Sequence, residues 1–598
     1  MDWSQELLGS ALWVGKAFII SAILLLIIGF VLIKTTRWAA QFWSLAGHYF
    51  NPRQKPMTLV TFTVILLLSL FGVRINVLFS NWYNTMYTAL QKLDESTFWV
   101  QMVVFAVLAS IHIVRALASY YLQQRFTIKW RETLNEEMLS RWMDKKSYYR
   151  SYYLKNPIDN PDQRIQQDVL VFAQLSIDLV LGVISSMVSA VAFTVILWNL
   201  SDDMTIFGVV IPRGMVFLLF IYILVATVFA FKIGRPLINL NFLSERLNAN
   251  YRYSLIRVRE YAESIAFYSG EKSEGSRLRQ RFSQVVKNMW DIVHRSLKFQ
   301  GFNFFISQTA VIFPFIIQAP RFFAGKLELG GMVQTAQAFG KLMDNLSFFR
   351  TAYDSFAKYR AVLDRLTGFH QNIEEAEKLP VPHVEAKGTE VSLDKVTIST
   401  PSGYVLLQEL SLQVNAGDAL LIQGPSGSGK TTLLRSIAGL WPYCQGDIIR
   451  PNQDVLFLSQ KPYLPEGRLI DTLFYPEPAP EHAEELAQEI LDKVCLPHLK
   501  SRLFEELNWS HTLSLGEQQR IAFARILLGK PKVAFIDEAT SAMDEGLEFT
   551  MYKLLRETFP AMRLVSVGHR STLHAHHSHL LQLKGHGEWE LSVLSHAK

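Results

Sequence analysis

Cysteine is nearly absent. Only Cys444 and Cys495 occur in 598 residues, which excludes a disulfide framework and any CxxC metal site; two ordinary thiols are expected. A large excess of charge of either sign is missing too. Lys and Arg number 59 against 53 Asp and Glu, a net +6, too little to argue for a nucleic-acid partner. No internal repeat and no low-complexity tract is present, so repeat architectures are not expected.

Apolar residues are what the chain has in plenty. They make up 49% of it, and the mean hydropathy is +0.15. Soluble proteins seldom reach that average, so a membrane portion is expected. A bilayer core takes about 20 apolar residues as helix, at about 1.5 Å of rise each. Ala17–Ile33, Met57–Val73, Gly214–Phe231 and Phe299–Pro320 carry no charge, and Phe98–Val114 and Val169–Leu200 together carry only Asp178. These are six expected spans. Gly331–Leu366 is helix-like but holds Lys341, Asp344, Arg350, Asp354 and Lys358. Facing lipid it would be too costly, whereas facing a water-filled cavity it is acceptable; a soluble connector is the alternative.

Charge in the connections favours the membrane reading. Lys and Arg number four in 34–56, one in 81–97, nine in 123–167, one in 199–213, thirteen in 232–298 and two in 321–330. Basic loops stay in the cytosol, so the alternation puts the N-terminus outside and everything after about residue 366 inside. That takes seven spans. Ala17–Ile33 is expected to stay as an extra helix, because no small-residue cleavage site follows it and Lys34 and Arg37 do. Gln371–Glu390, rich in Glu, Lys and Pro, reads as a solvated linker. The division expected is 1–50, 51–366, a 367–389 linker and 390–598.

The last part holds chemistry. Gly424, Pro425, Ser426, Gly427, Ser428, Gly429, Lys430, Thr431 and Thr432 follow the apolar run Ala419–Ile422 and open a helix-like stretch. Strand, glycine loop and helix together make a P-loop, whose backbone N–H groups and helix N-terminus wrap phosphates. Lys430 is expected on the β- and γ-phosphates of ATP, and the Thr431 hydroxyl on Mg²⁺. Lys532–Ile536 ends in Asp537 and Glu538; the first suits Mg²⁺ and the second can polarise an attacking water. Between them lies Leu513-Ser-Leu-Gly-Glu-Gln-Gln-Arg520, in which Ser514 and Gly516 offer a hydroxyl and N–H groups at a helix start. His574, His576, His577 and His579 invite a zinc reading. They lack organised Cys or carboxylate partners and are expected on an ordinary surface helix running into a late strand.

The octet Leu513–Arg520 resembles the signature motif of ATP-binding cassette (ABC) proteins. With that resemblance come Gln460 as the Q-loop, Ser541-Ala-Met-Asp544 as the D-loop and His569 as the switch histidine. Gly439-Leu-Trp-Pro442, Gln460-Lys-Pro-Tyr-Leu-Pro465, Trp509, Asn160-Pro-Asp-Gln-Arg-Ile165 and Glu263-Ser-Ile-Ala-Phe-Tyr-Ser-Gly270 are similar to the ABC subfamily D pattern and its bacterial BacA/SbmA-like relatives.

The resemblance implies an exporter-like six-helix membrane domain with one extra N-terminal helix, followed by an α/β P-loop NTPase domain. It implies a homodimer in which each ATP is clamped between the P-loop of one chain and Ser514, Gly516, Glu517 and Asp544 of the other. Glu538 would act as base, His569 would hold the γ-phosphate, and Gln460 would join Thr431 and Asp537 at the Mg²⁺. Short coupling helices are implied near Asn156–Ile165 and in Glu263–Ser276. Many ABC proteins stack adenine on an aromatic residue where this chain has Thr400, with Tyr404 the nearest ring.

ATP-driven transport of a solute through the lipid bilayer is the expected activity. A large hydrophilic cargo such as cobalamin or a peptide is favoured over lipid, acyl-CoA or drug export, and over a non-transporting sensor. No nucleic acid is expected as a partner. Ser595-His-Ala-Lys598 carries no peroxisomal address, so a bacterial inner membrane is expected.

Overall fold

In lipid the backbone can satisfy its polar groups only within itself, so long apolar runs become helices. In the computed structural model, which describes residues 3–53, 55–157, 160–201, 204–206, 209–386 and 390–594, six helices are long and apolar enough to cross a membrane. They are Trp3–Thr35, Pro56–Gln91, Glu95–Met143, Val169–Leu200, Gly214–Glu260 and Glu271–Phe323, and each contains one of the six expected runs. Glu95–Met143 has 49 residues, about 70 Å at the helical rise and more than twice a bilayer core. Asp94 fixes its start: the carboxylate accepts the Thr97 N–H at 3.1 Å, and hydrogen bonds from Thr97 and Ser96 hold its pKa down to about 2.

The seventh stretch is also helical. Leu329–Lys378 runs for 50 residues, and its buried side packs into a cluster of Val77, Phe193, Leu197, Leu219, Phe339 and Leu342. Lys341 and Asp344 lie on its exposed side, while the side chains of Arg350 and Asp354 fall outside what the structure describes. This helix corrects the linker expectation. It continues past Gln371 to Lys378 because Phe369, Ile373 and Ala376, spaced four and three apart, form an apolar stripe that is buried. The polar composition of 371–378 conceals that stripe. His383–Ala386, also inside the expected linker, is a strand paired with Cys444–Arg450.

Apart from its length, the N-terminal helix is held by a polar contact within the membrane unit. The Arg74 guanidinium pairs with Glu6, donates from Nε to Ser10 Oγ at 3.1 Å and lies 5.7 Å over the Trp13 ring.

The chain divides into two compact units, Met1–Asp144 with Ile158–Asn372, and Lys145–Pro157 with Ile373–Lys598. The second unit has a six-stranded sheet in the order Glu588–Val593, His579–Gly585, Ala419–Gln423, Arg563–Val567, Val533–Asp537 and Val455–Leu458. Its last five strands are parallel, and the first is an antiparallel edge. Parallel strands buried on both faces read as unbroken apolar runs, and alternate residues serve opposite cores. Leu421, Ala534, Ile536 and Leu564 enter one core, and Leu420, Ile422, Phe535 and Val565 the other. A second, four-stranded sheet is ordered His383–Ala386, Cys444–Arg450, Val391–Ser399 and Val405–Val414.

Candidate functional site: the phosphate loop and its neighbours

The loop after Ala419–Gln423 must turn sharply to start the Lys430–Ile437 helix. Gly424 has φ +155° and Gly429 +98°, and a Cβ on Gly424 would stand 2.5 Å from the Leu583 carbonyl oxygen, so the loop needs glycine there. Lys430 Nζ donates to the carbonyls of Gly424 at 2.9 Å and Pro425 at 3.1 Å. Its ammonium is thereby held over the loop that a phosphate would fill. The Ser428 hydroxyl is buried with no hydrogen-bond partner among the described residues, an orphan that a phosphate oxygen would satisfy. Thr432 follows in the first helical turn, and its carbonyl accepts the Ser436 hydroxyl at 2.9 Å.

Thr431 Oγ1 donates to Asp537 Oδ1 at 3.1 Å. Burial raises the Asp537 pKa, and the charge of Glu538 adds to this against the pull of Thr431, Arg435 and Lys430. A hydroxyl beside a carboxylate whose charge lacks solvation is the oxygen set that suits a hard cation such as Mg²⁺. Glu538 follows with φ +50°, a strained backbone that turns its side chain out of the strand direction. Its two oxygens are both engaged. Gln460 Nε2 donates to Oε2 at 3.2 Å, and His569 Nε2 lies 3.1 Å from Oε1. Gln460, Glu538 and His569 come from three different loops, and the fold brings them together. Gln460 reaches Glu538 rather than the Thr431–Asp537 pair.

Ser514 caps the Leu515–Gly529 helix with a full capping box. Glu517 Oε2 accepts from Ser514 N at 2.9 Å and from Ser514 Oγ at 2.8 Å, and His498 Nε2 lies 3.0 Å from Glu517 Oε1. Burial raises the Glu517 pKa, but the Ser514 and His498 hydrogen bonds outweigh it and leave the group below its ordinary value. Gly516 lies so close to the D-loop that a Cβ would sit 3.0 Å from the Ala542 oxygen. Asp544 caps the Glu545–Thr558 helix by accepting the Leu547 N–H at 2.8 Å. No hydrogen bond among the described residues joins Ser514, Gly516, Glu517 or Asp544 to the Thr431–Asp537 pair.

Two residues that sequence reasoning passed over tie these loops together. Gln519, fully buried, bonds both the Q-loop and the D-loop. Arg570, next to His569, donates to the Met543 carbonyl at 2.8 Å. Gln519 sits in the signature octet, but nothing in its spacing marks it. The histidines at 574–579 scatter: His577 is buried with Nδ1 2.7 Å from the Leu573 carbonyl oxygen, His574 faces Gln423, and His576 packs on Phe549. Tyr404 closes the hairpin turn opened by Thr400, whose N–H donates to the Tyr404 carbonyl at 2.8 Å. The Tyr404 hydroxyl lies 3.0 Å from His586 Nδ1.

The Gly439-Leu-Trp-Pro442 motif gains a physical role. Tyr153 packs edge-on against Trp441, centroids 5.2 Å apart, and Trp441 Nε1 donates to the Ser399 carbonyl at 2.9 Å. Ser147–Arg150 and Ser151–Tyr153 are short helices, and they belong to the unit that contains the P-loop. The stretch that folds with the P-loop unit, Lys145–Pro157, overlaps the expected Asn156–Ile165 at Asn156 and Pro157, and Ile158 and Asp159 of the expected segment fall outside the described residues. The second expected segment contains the short helix Ala262–Phe267.

Residues 45–323 match the family described as ABC transporter transmembrane region 2, and 407–541 match the ABC transporter family. The chain is 49% identical to an uncharacterised ABC transporter ATP-binding protein of Haemophilus influenzae, over 99% of this chain and 100% of that one. It is 32% identical to the inner membrane ABC transporter ATP-binding protein YddA of Escherichia coli, over 87% and 93%. It is 29% identical to the human lysosomal cobalamin transporter ABCD4, over 78% and 81%. A bacterial Atm1-family ABC exporter with ATP bound shares the fold with a TM-score of 0.70, at 18% identity, over 89% of this chain and 95% of that one. The polypeptide is thus an integral membrane protein with a fused ATPase domain, and it belongs to the ABC transporter family as a half-transporter that couples ATP hydrolysis to membrane transport.

Proposed function

We propose that two copies of this chain form a symmetric homodimer that moves a large hydrophilic solute, of the corrinoid or peptide kind, through a bacterial inner membrane. The observation that carries the ATPase part is the meeting of Gln460 and His569 on the two oxygens of Glu538, one residue beyond the Thr431–Asp537 pair. Lys430 would shift from the Gly424 and Pro425 carbonyls to the β- and γ-phosphates. Thr431 and Asp537 would hold Mg²⁺, which supplies charge neutralisation to the phosphates when bound, and Gln460 would join them only by leaving Glu538. Glu538 would orient and polarise the attacking water, with His569 at the γ-phosphate.

Dimerisation is supported by what one chain leaves unused. Ser514 and Gly516 form a phosphate-ready helix start that has no bond to the chain's own Thr431–Asp537 pair. The hairpin end around Ala262–Phe267 exposes Phe267 and Tyr268. ATP clamped between two copies gains contacts only when they close, and that difference in affinity is what drives a conformational change. A hydrophilic cargo is supported by Lys341 and Asp344, charges on the exposed side of a helix whose buried side packs with the apolar spans, and by the cobalamin transporter among the relatives. The inner-membrane address rests on the bacterial relatives; Ser595–Lys598, the stretch read for an organelle address, lies outside the described residues.

The test is Glu538→Gln in proteoliposomes. Loss of ATP turnover by about 10²–10⁴-fold together with loss of cargo movement is expected; flux that persists in this variant ends the ATP-driven reading. Stimulation of ATPase by cobalamin, by peptides or by acyl-CoA ranks the cargo classes, and a response to acyl-CoA alone removes the hydrophilic one.

A further inference from the structure

A buried amide must place one acceptor and two donors, and a misplaced one leaves unsatisfied groups that cost about 1–3 kcal/mol each. Gln519 places all of them on functional loops. Its Nε2 donates to the Gln460 carbonyl oxygen at 2.9 Å and to Ser541 Oγ at 3.3 Å, and its Oε1 accepts the Ala542 N–H at 3.0 Å. Gln519 lies in the helix that Ser514 opens. Gln460 in turn reaches Glu538, and the Ser541 N–H donates to the Glu538 carbonyl at 3.0 Å. One side chain therefore joins the loop that meets the chain's own nucleotide to the helix that would meet its partner's. Its neighbour Gln518 is also buried but donates to Ser510 and Leu513, in the turn just before the same helix.

We infer that Gln519 is a positioning residue that couples the two ATP sites of the dimer, so that filling one site sets the signature helix for the other. The inference rests on the two-chain reading above. Losing the Gln519 bonds would free Gln460 and the Ser514 helix to move independently, leaving each site able to bind ATP but unable to report it.

The experiment measures phosphate release against ATP concentration for the full chain in lipid nanodiscs, with Mg²⁺. Two coupled sites give a Hill coefficient of up to about 2. In Gln519→Leu it is expected to fall to about 1, while binding of a fluorescent ATP analogue stays within about threefold of the wild type. Gln519→Glu keeps the bond from Ala542 but not the two donated bonds; it is expected to behave likewise, and it carries the test if the leucine variant does not fold. Gln518→Leu removes a buried amide from the same helix and is expected to keep the cooperativity, whatever it does to the rate. A chain that stays monomeric in the nanodisc while it turns over ATP sinks the two-chain reading and this inference together, and a dimer whose wild-type coefficient is about 1 overturns this inference alone. Cooperativity in the wild type that survives in both Gln519 variants overturns this inference alone, as does its equal loss in Gln518→Leu.

Discussion

The membrane unit and the ATPase unit are built on different kinds of information. In the ATPase unit, phosphate chemistry demands particular residue types at particular spacings, so Gly424–Thr431, Asp537 and Glu538 can be given expected roles from the sequence alone. In the membrane unit, the bilayer demands only that a stretch be apolar and that basic loops stay inside. Many sequences meet that demand, so the helices can be found but the contacts between them cannot. The difference teaches that a solvent specifies elements, whereas a reaction specifies residues.

Three perturbations sharpen this contrast. The largest effect is expected where the membrane unit does depend on one residue. Arg74→Ala leaves Glu6 without its partner in a pair that is mostly shielded from water, and breaking a buried pair costs about 3–5 kcal/mol. Thermal unfolding of the membrane unit should fall accordingly and the N-terminal helix should become open to protease. Adding Glu6→Gln should restore most of the loss. If Arg74→Ala changes neither readout, the N-terminal helix does not depend on this contact.

The next effect lies in the ATPase unit but outside its motifs. Burial pushes the His577 pKa down to about 4, against a smaller opposing pull from the Leu573 carbonyl. The unfolded chain therefore binds a proton between about pH 6.5 and 4 that the folded one refuses. The contribution of this group is full above about pH 6.5, falls by at most about 1.4 kcal/mol per pH unit as pH drops through that window, and is gone below about pH 4. Replacing His577 by Gln should flatten the unfolding curve across this window; an unchanged slope would show that other groups carry it.

The smallest is Tyr153→Ala, which removes the edge-on contact with Trp441. An aromatic pair of this kind contributes about 0.5–1.5 kcal/mol beyond the area it buries. A modest loss of ATPase-unit stability is expected, together with a shift in Trp441 fluorescence. A weaker link between ATP turnover and cargo movement should accompany it, since Tyr153 lies between two membrane helices in sequence but folds with the ATPase unit.

Much of the architecture was legible in the sequence, for reasons that differ by element. The six spans could be read because unbroken apolar runs have no other use at that length. The seventh helix was detectable through loop charge, although its own composition is too polar to announce it. The linker misled because Phe369, Ile373 and Ala376 are few among many charged residues, so composition outvoted spacing. At the site, the P-loop and the Asp537–Glu538 pair were plain, whereas Gln460, His569 and the D-loop came through family resemblance. Gln519 and Arg570 stayed hidden because each acts by touching loops distant in sequence, which only folding brings near. The pairing of Arg74 with Glu6 was hidden for the same reason.

Ser514 in the lone chain is already content: its N–H and hydroxyl both give their hydrogens to Glu517. On the two-chain reading proposed above, an incoming phosphate would have to draw that hydroxyl away from a carboxylate of its own charge sign, one that stays within a helical turn to take it back. Such an arrangement would make gripping shallow and letting go easy, the balance needed by a machine that must open after every stroke.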